Sequence, residues 1–245
     1  MHDLTKENKW KAGVFLAVNL GLYLAFMGFS LPKENVFYFL TVLFSFLFTW
    51  LIKDFSFDAW FLRIALFFTV LADILLVLLD DYYTLALVFF IGTQSAYLTR
   101  LLVVKDKKGK TIQLISQGGL VLTVIIIAVL LFKENTAPDV VLAGGYFALL
   151  VSNIIFAFLS RKNNPLFWIG LLLFSFCDIF VGLSALTRYA DLNPDSLISK
   201  INAIPFNFIW FFYTPSQTIL ALTIFFKKKS CSTREDGLES NSKGI

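Results

Sequence analysis

Histidine is almost missing from this chain. The single one, His2, precedes every apolar run, which excludes a histidine-ligated metal and a Ser-His or Cys-His nucleophile within the bilayer. An intramembrane protease of the rhomboid type goes with them. Cysteine is nearly as scarce: of the two, Cys177 falls in an apolar run and Cys231 in the polar tail, so no disulfide framework is implied. No lysine stands in the middle of the last two apolar runs, and a retinal Schiff base has no attachment point there. Neither a P-loop nor a dinucleotide fingerprint occurs. The pairs Gly118-Gly119 and Gly144-Gly145 lie in apolar runs, where small residues are expected to let helices approach. No metal and no cofactor is expected.

Hydrophobic residues are abundant instead. They make up 58% of the 245 residues, with 29 Phe and a mean hydropathy of +0.75, and this places the chain in the membrane class. A helix needs roughly 20 apolar residues to cross a bilayer. Runs of about that width fall near 12–29, 36–52, 60–79, 83–104, 112–132, 138–159, 166–186 and 204–226. The expected fold is therefore all-α, a polytopic membrane bundle of about eight transmembrane helices. Lys9 and Lys11 before the first run imitate a signal peptide. However, no small-residue cleavage site follows, and Gly28-Phe29-Ser30 leads straight to Pro32, so an uncleaved first span is expected.

Of the 21 Lys and Arg, only Lys33, Lys133, Arg188 and Lys200 fall on the side opposite the N-terminus. By the excess of Lys and Arg in cytoplasmic loops, both termini are expected inside. The chain then divides into a cytoplasmic segment 1–11, a membrane domain 12–229 and a disordered, Ser-rich cytoplasmic tail 230–245. The basic runs serve as topology anchors that touch anionic lipid, and nucleic acid is not needed to explain them.

Few polar residues remain inside the spans: Asn19, Tyr23, Asp73, Gln94, Tyr97, Gln117, Asn153, Asp178, Asn207, Tyr213 and Gln217. The two acids stand apart, because an Asp at each helix centre opposes insertion by about 5 to 7 kcal/mol for the pair. Such residues face a bundle interior or a water-filled cavity. Asp73 and Asp178 stand at similar positions in spans 3 and 7, in the matching words Ala72-Asp73-Ile74 and Cys177-Asp178-Ile179. Gln94 and Tyr97 follow in span 4, and Tyr213 and Gln217 in span 8. The spacing suggests two parallel four-helix repeats about an axis along the membrane normal. Thr69 and Asp73, Ser175 and Asp178, Gln94 and Tyr97, and Tyr213 and Gln217 each share a helix face. Pro215 should loosen span 8 and free a backbone carbonyl. A polar pocket lined by spans 3, 4, 7 and 8 would satisfy these groups together.

The segments "LADILL", "FFIGTQSAYL", "GLLLFSFCDIF" and "YTPSQTI" resemble, in order and spacing, the signature segments of the lysoplasmalogenase (YhhN-like) family. The resemblance covers spans 3, 4, 7 and 8. It implies a multi-pass membrane hydrolase of the cell membrane that acts on ether bonds, cleaving the vinyl ether of a lysophospholipid to a fatty aldehyde and a glycerophospho-alcohol. It also implies that Asp73 and Asp178 are the catalytic acids, with Tyr97, Tyr213 and Gln217 at matching positions; together with the polar Gln94 and Asn207 these are expected to bind substrate or support the acids. Three positions depart from the family pattern: Ala72 stands where Gly is expected, Cys177 where Ser is, and Gln94 where a histidine is.

The chemistry suits the residues. Vinyl-ether hydrolysis begins with protonation of the alkene carbon, and the oxocarbenium ion that results is captured by water. It needs a proton donor and a negative charge nearby, the division of labour of paired carboxylates in glycosidases. Two other readings stand beside it. One is a non-catalytic carrier or binder of lipid or small amphiphiles, for which repeats and a midplane acid pair are equally natural. The other is an interaction partner without a ligand.

Overall fold

A computed structural model of the chain describes residues 5–29, 32–103, 105, 107–132, 138–162, 164–186, 193 and 195–225. The expected disordered tail, Cys231, Lys133 and Arg188 lie outside the described residues. All regular structure among the described residues is helical: α1 (Lys6–Gly28), α2 (Glu34–Leu51), α3 (Phe57–Asp73), α4 (Tyr83–Leu102), α5 (Lys107–Phe132), α6 (Pro138–Leu159), α7 (Pro165–Leu186), α8 (Leu197–Asn202) and α9 (Phe208–Leu222). All but α8 supply helices long and apolar enough to cross a membrane. Helix is the outcome lipid demands, because it satisfies the backbone within each span.

The helix boundaries follow local chemistry. Ser56 caps α3, its side chain accepting from Ala59 N at 3.3 Å, and Asn207 caps α9 by accepting from Trp210 N at 3.3 Å. The last span therefore begins at Phe208 rather than near 204, and the short α8 occupies the loop before it. Span 3 is not a uniform α-helix. Immediately after Asp73 the chain widens into a π turn, Ile74–Leu78, closed by Leu79 N donating to Ile74 O at 3.0 Å. Such wide turns concentrate at functional sites. Pro215 behaves as its chemistry requires: it cannot donate to Phe211 O, and Tyr23 Oη of α1 donates to that carbonyl instead, at 3.4 Å.

Six spans close a ring in the order α2, α3, α4, α6, α7, α9. The other two lie outside it, α1 against α2 and α9, and α5 against α6 and α4. These two are the least buried spans, with 17% and 11% of their apolar windows buried, so most of their surface is left to lipid. The ring contacts and the placements of α1 and α5 recur when each span is exchanged for the one four places on.

The expected close-packing role is not what the structure shows for Gly118 and Gly119. A Cβ added at Gly118 or Gly119 would meet nothing within 4 Å, and one at Gly145 only Ile125 at 3.9 Å. Close approach occurs instead at Gly170 of α7, where a Cβ would stand 2.7 Å from Leu220 of α9. It occurs again at Gly92 of α4, 3.1 Å from the Phe68 ring. Ser216 Oγ donates to Gly170 O at 2.9 Å across the first of these contacts. Gly118 and Gly119 sit on an exposed face of α5, which periodicity alone does not reveal.

Candidate active site

A cavity of about 640 Å³ opens at the end of the bundle where α4, α6 and α9 begin and α7 ends. Its wall is mostly apolar, with Leu76, Val77, Leu87, Phe90, Val140, Phe147, Ile179 and Ile209 among the residues that line it. The polar groups on the wall are few. Asp73, Tyr146, Asp178 and Tyr213 stand inside, and Tyr83 and Asp139 stand at the helix starts nearest the mouth. Among the described residues, no lysine or arginine lines it.

Each acid is held by one tyrosine hydroxyl. Tyr213 Oη of α9 lies 2.9 and 2.8 Å from the two carboxyl oxygens of Asp73, donating to them. Tyr146 Oη of α6 donates to Asp178 Oδ2 at 2.5 Å. Asp73 is 2% exposed, whereas Asp178 is half-buried and open to the cavity. Both stand on the mouth side of the centre of their spans, Asp73 five residues before the end of its π turn and Asp178 eight before the end of α7. Cys177 lines the same wall. A small side chain at that position leaves room for the two carboxyls to share one space.

Three residues singled out in the sequence thus meet at the cavity: Asp73, Asp178 and Tyr213. Four do not line it. Gln94 is fully buried in α4, its side-chain oxygen and backbone carbonyl both accepting from Asn153 Nδ2 at 3.0 and 2.9 Å. Tyr97, also fully buried, packs edge-on to Phe167 with ring centroids 5.5 Å apart. Asn207 caps α9 and donates to Tyr38 Oη at 3.2 Å. Gln217 is fully buried, with neither amide atom hydrogen-bonded. The pocket also takes in a fifth span, α6, which brings Tyr146 and Asp139. Tyr146 follows a glycine pair in an apolar run and reads from sequence as core packing. Only its contact with Asp178 shows otherwise.

A model of the YhhN family matches residues 34–224, from α2 to the last turn of the chain described above. The chain belongs to the YhhN family. That family is the family of lysoplasmalogenases. The matched span contains the whole cavity wall and leaves out α1. No curated protein and no solved structure matches the chain.

Proposed function

We propose that this YhhN-family protein is a membrane-embedded hydrolase that cleaves the vinyl-ether bond of lysoplasmalogens. The observation that carries the reading is a pair of carboxyls, each fixed by a tyrosine hydroxyl, on the wall of one apolar cavity. The cavity volume falls within the roughly 300–1,000 Å³ typical of small-molecule sites. Phe147, Ile179 and Val181 line it and are also 37%, 41% and 42% exposed on the outer face of α6 and α7. A lipid chain can enter sideways there while its head group stays at the mouth. Asp139 precedes Tyr146 by two helical turns, about 10 Å of rise. That is comparable to the glycerophospho link between an ether oxygen and a head-group nitrogen, and an ammonium there meets a carboxylate.

In the reaction one carboxyl delivers a proton to the outer alkene carbon, and the ether oxygen shares the positive charge that develops on the inner one. The second, ionised carboxylate stabilises that charge and takes a proton from the water that adds to the cation. The hemiacetal then collapses, its C–O bond to glycerol breaking as the hydroxyl becomes an aldehyde and the proton returns to the leaving oxygen. Tyr146 and Tyr213 keep both carboxyls oriented through the cycle.

Aldehyde release from ethanolamine and choline lysoplasmalogens by the purified chain tests this reading. Release from at least one of them is expected, and its loss in Asp73→Asn and in Asp178→Asn with the melting temperature unchanged. A chain that binds lysoplasmalogen and yields no aldehyde above a blank would be a carrier. The recurrence of helix neighbours four spans apart favours that second reading, since parallel repeats are common in transporters.

A further inference from the structure

Behind Asp178 a line of buried amides leads away from the cavity. Tyr146, its partner, stands beside the side chain of Gln94. Asn153 Nδ2 donates to Gln94, and Gln117 Nε2 of α5 donates to Asn153 Oδ1 at 3.3 Å. One turn further along α5 comes Gln113. Gln94, Gln113 and Asn153 are fully buried and Gln117 is 2% exposed. The line runs toward the end of the bundle opposite the cavity mouth, where α4 and α6 end and α5 begins. Gln113 stands six residues inside Lys107, about 9 Å of helix rise from that end.

The line is incompletely paired. Among the described residues, Gln113 has no hydrogen-bond partner for either amide atom, and Gln117 Oε1 has none. A buried polar atom left unpaired costs about 1–3 kcal/mol, so three in one helical turn are hard to retain without a ligand. The unpaired set holds a donor and acceptors together. A metal cation would oppose the amide donor and an anion would oppose the carbonyl oxygens. Water serves both, and buried water characteristically bridges such groups.

We propose that α4, α5 and α6 enclose a hydrated seam that brings water to Asp178 from the face opposite the lipid entrance. The seam deepens the hydrolase reading and rests on it for its purpose: an apolar cavity filled by a lipid chain excludes the water that the reaction consumes, and a second route supplies it. Hydrolysis consumes one water per turnover, and no other reactant is required of the seam.

Cysteine accessibility tests the seam without reference to activity. In a chain carrying Cys177→Ala and Cys231→Ala, single Gln113→Cys, Gln117→Cys and Leu150→Cys variants are reconstituted in sealed vesicles. They are exposed to silver ion from either side and then labelled with a maleimide in denaturant. A thiol in a dry interior stays protonated and inert. Protection at positions 113 and 117 is expected at least about tenfold faster than at fully buried Leu150, and faster from the side of the Lys107 end. Protection at both no faster than at Leu150 overturns the seam. Gln113 makes no hydrogen bond to lose, so Gln113→Cys answers the question even if Gln117→Cys does not fold. Aldehyde release by Gln117→Leu is then compared with the unsubstituted chain. A loss of at least about tenfold with lysoplasmalogen binding retained is expected, within the range for one positioned group, and an unchanged rate overturns the supply role. Silver protection in a chain that releases no aldehyde leaves the seam standing and removes the hydrolase reading instead.

Discussion

At the mouth end of the bundle, two carboxyls border an open apolar space with one tyrosine hydroxyl each as partner. At the opposite end Arg63 and Arg100 are as deeply buried, 2% and 0% exposed, and neither lines that cavity. Arg100 holds Asp58 through two bonds of 3.1 and 2.7 Å, donates to Thr223 Oγ1 at 3.0 Å, and lies over the Phe167 ring. Arg63 donates to the last carbonyls of α2, Thr49 O at 2.9 Å and Ile52 O at 2.8 Å, among Trp50, Phe55 and Trp60. Both ends bury ionisable groups, yet they differ in what surrounds them. A charge enclosed by opposite charge, helix-end carbonyls and aromatic faces is a clamp. A carboxyl held on one side and open to a cavity on the other is free to exchange a proton.

Substitution at the acids breaks this contrast most sharply. Asp178→Asn and Asp73→Asn each keep the size and remove the proton exchange, so aldehyde release is expected to fall by about 10² to 10⁴-fold. Thermal unfolding in detergent should change little, because an amide still accepts from the tyrosine. Arg100→Ala should do the reverse. It removes the ion pair to Asp58, whose side chain is only 13% exposed, and breaking a buried ion pair costs about 3–5 kcal/mol. The expected result is a clear fall in melting temperature, with turnover per folded molecule retained. If Arg100→Ala abolished turnover without altering stability, the two ends would not be separable.

The contrast also shows how far a sequence can be read. The eight spans were legible because lipid imposes a length and a composition on each. Asp73 and Asp178 were legible because an acid in an apolar run has no ordinary reason to be there. Tyr213 could be singled out by its polar atom in an apolar span. Tyr146 was lost among many aromatic core residues. Its role depends on which helices become neighbours, and α6 reaches α7 only after α5 is displaced to the outside of the ring. Arg63 and Arg100 looked like loop cations for the same reason: periodicity places them near a membrane edge, and only the packing shows that they turn inward. The π turn after Asp73 has no sequence signature in "ILLVL".

The tyrosines sharpen the comparison within the site itself. Tyr213 holds a carboxyl that is almost sealed, and Tyr146 one that the cavity reaches. Removal of either hydroxyl as Phe should reduce stability by about 0.6–1.5 kcal/mol at most, the net worth of one hydrogen bond. Aldehyde release should fall further in Tyr146→Phe than in Tyr213→Phe, because Tyr146 stands beside Gln94 as well as bonding Asp178. Steady-state kinetics on the two variants decide this, and equal losses would separate the amide line from the reaction.

Gln113→Leu has the smallest expected effect and divides the two accounts of the seam. In a dry core, replacing an amide that pairs with nothing by an apolar group of similar size removes a desolvation penalty, and the chain should gain about 1–3 kcal/mol. If water occupies the seam, the same substitution evicts a bound partner and leaves Gln117 Oε1 with less to pair with, so stability should stay level or fall by about 1 kcal/mol. The sign of the change in unfolding free energy is therefore the measurement. It bears on Gln94 as well, which stands where the family pattern expects a histidine. An amide cannot give up a proton as imidazole can, but it can hold water in register, and a hydrated seam beside Tyr146 would let the glutamine serve the same acid by a different route.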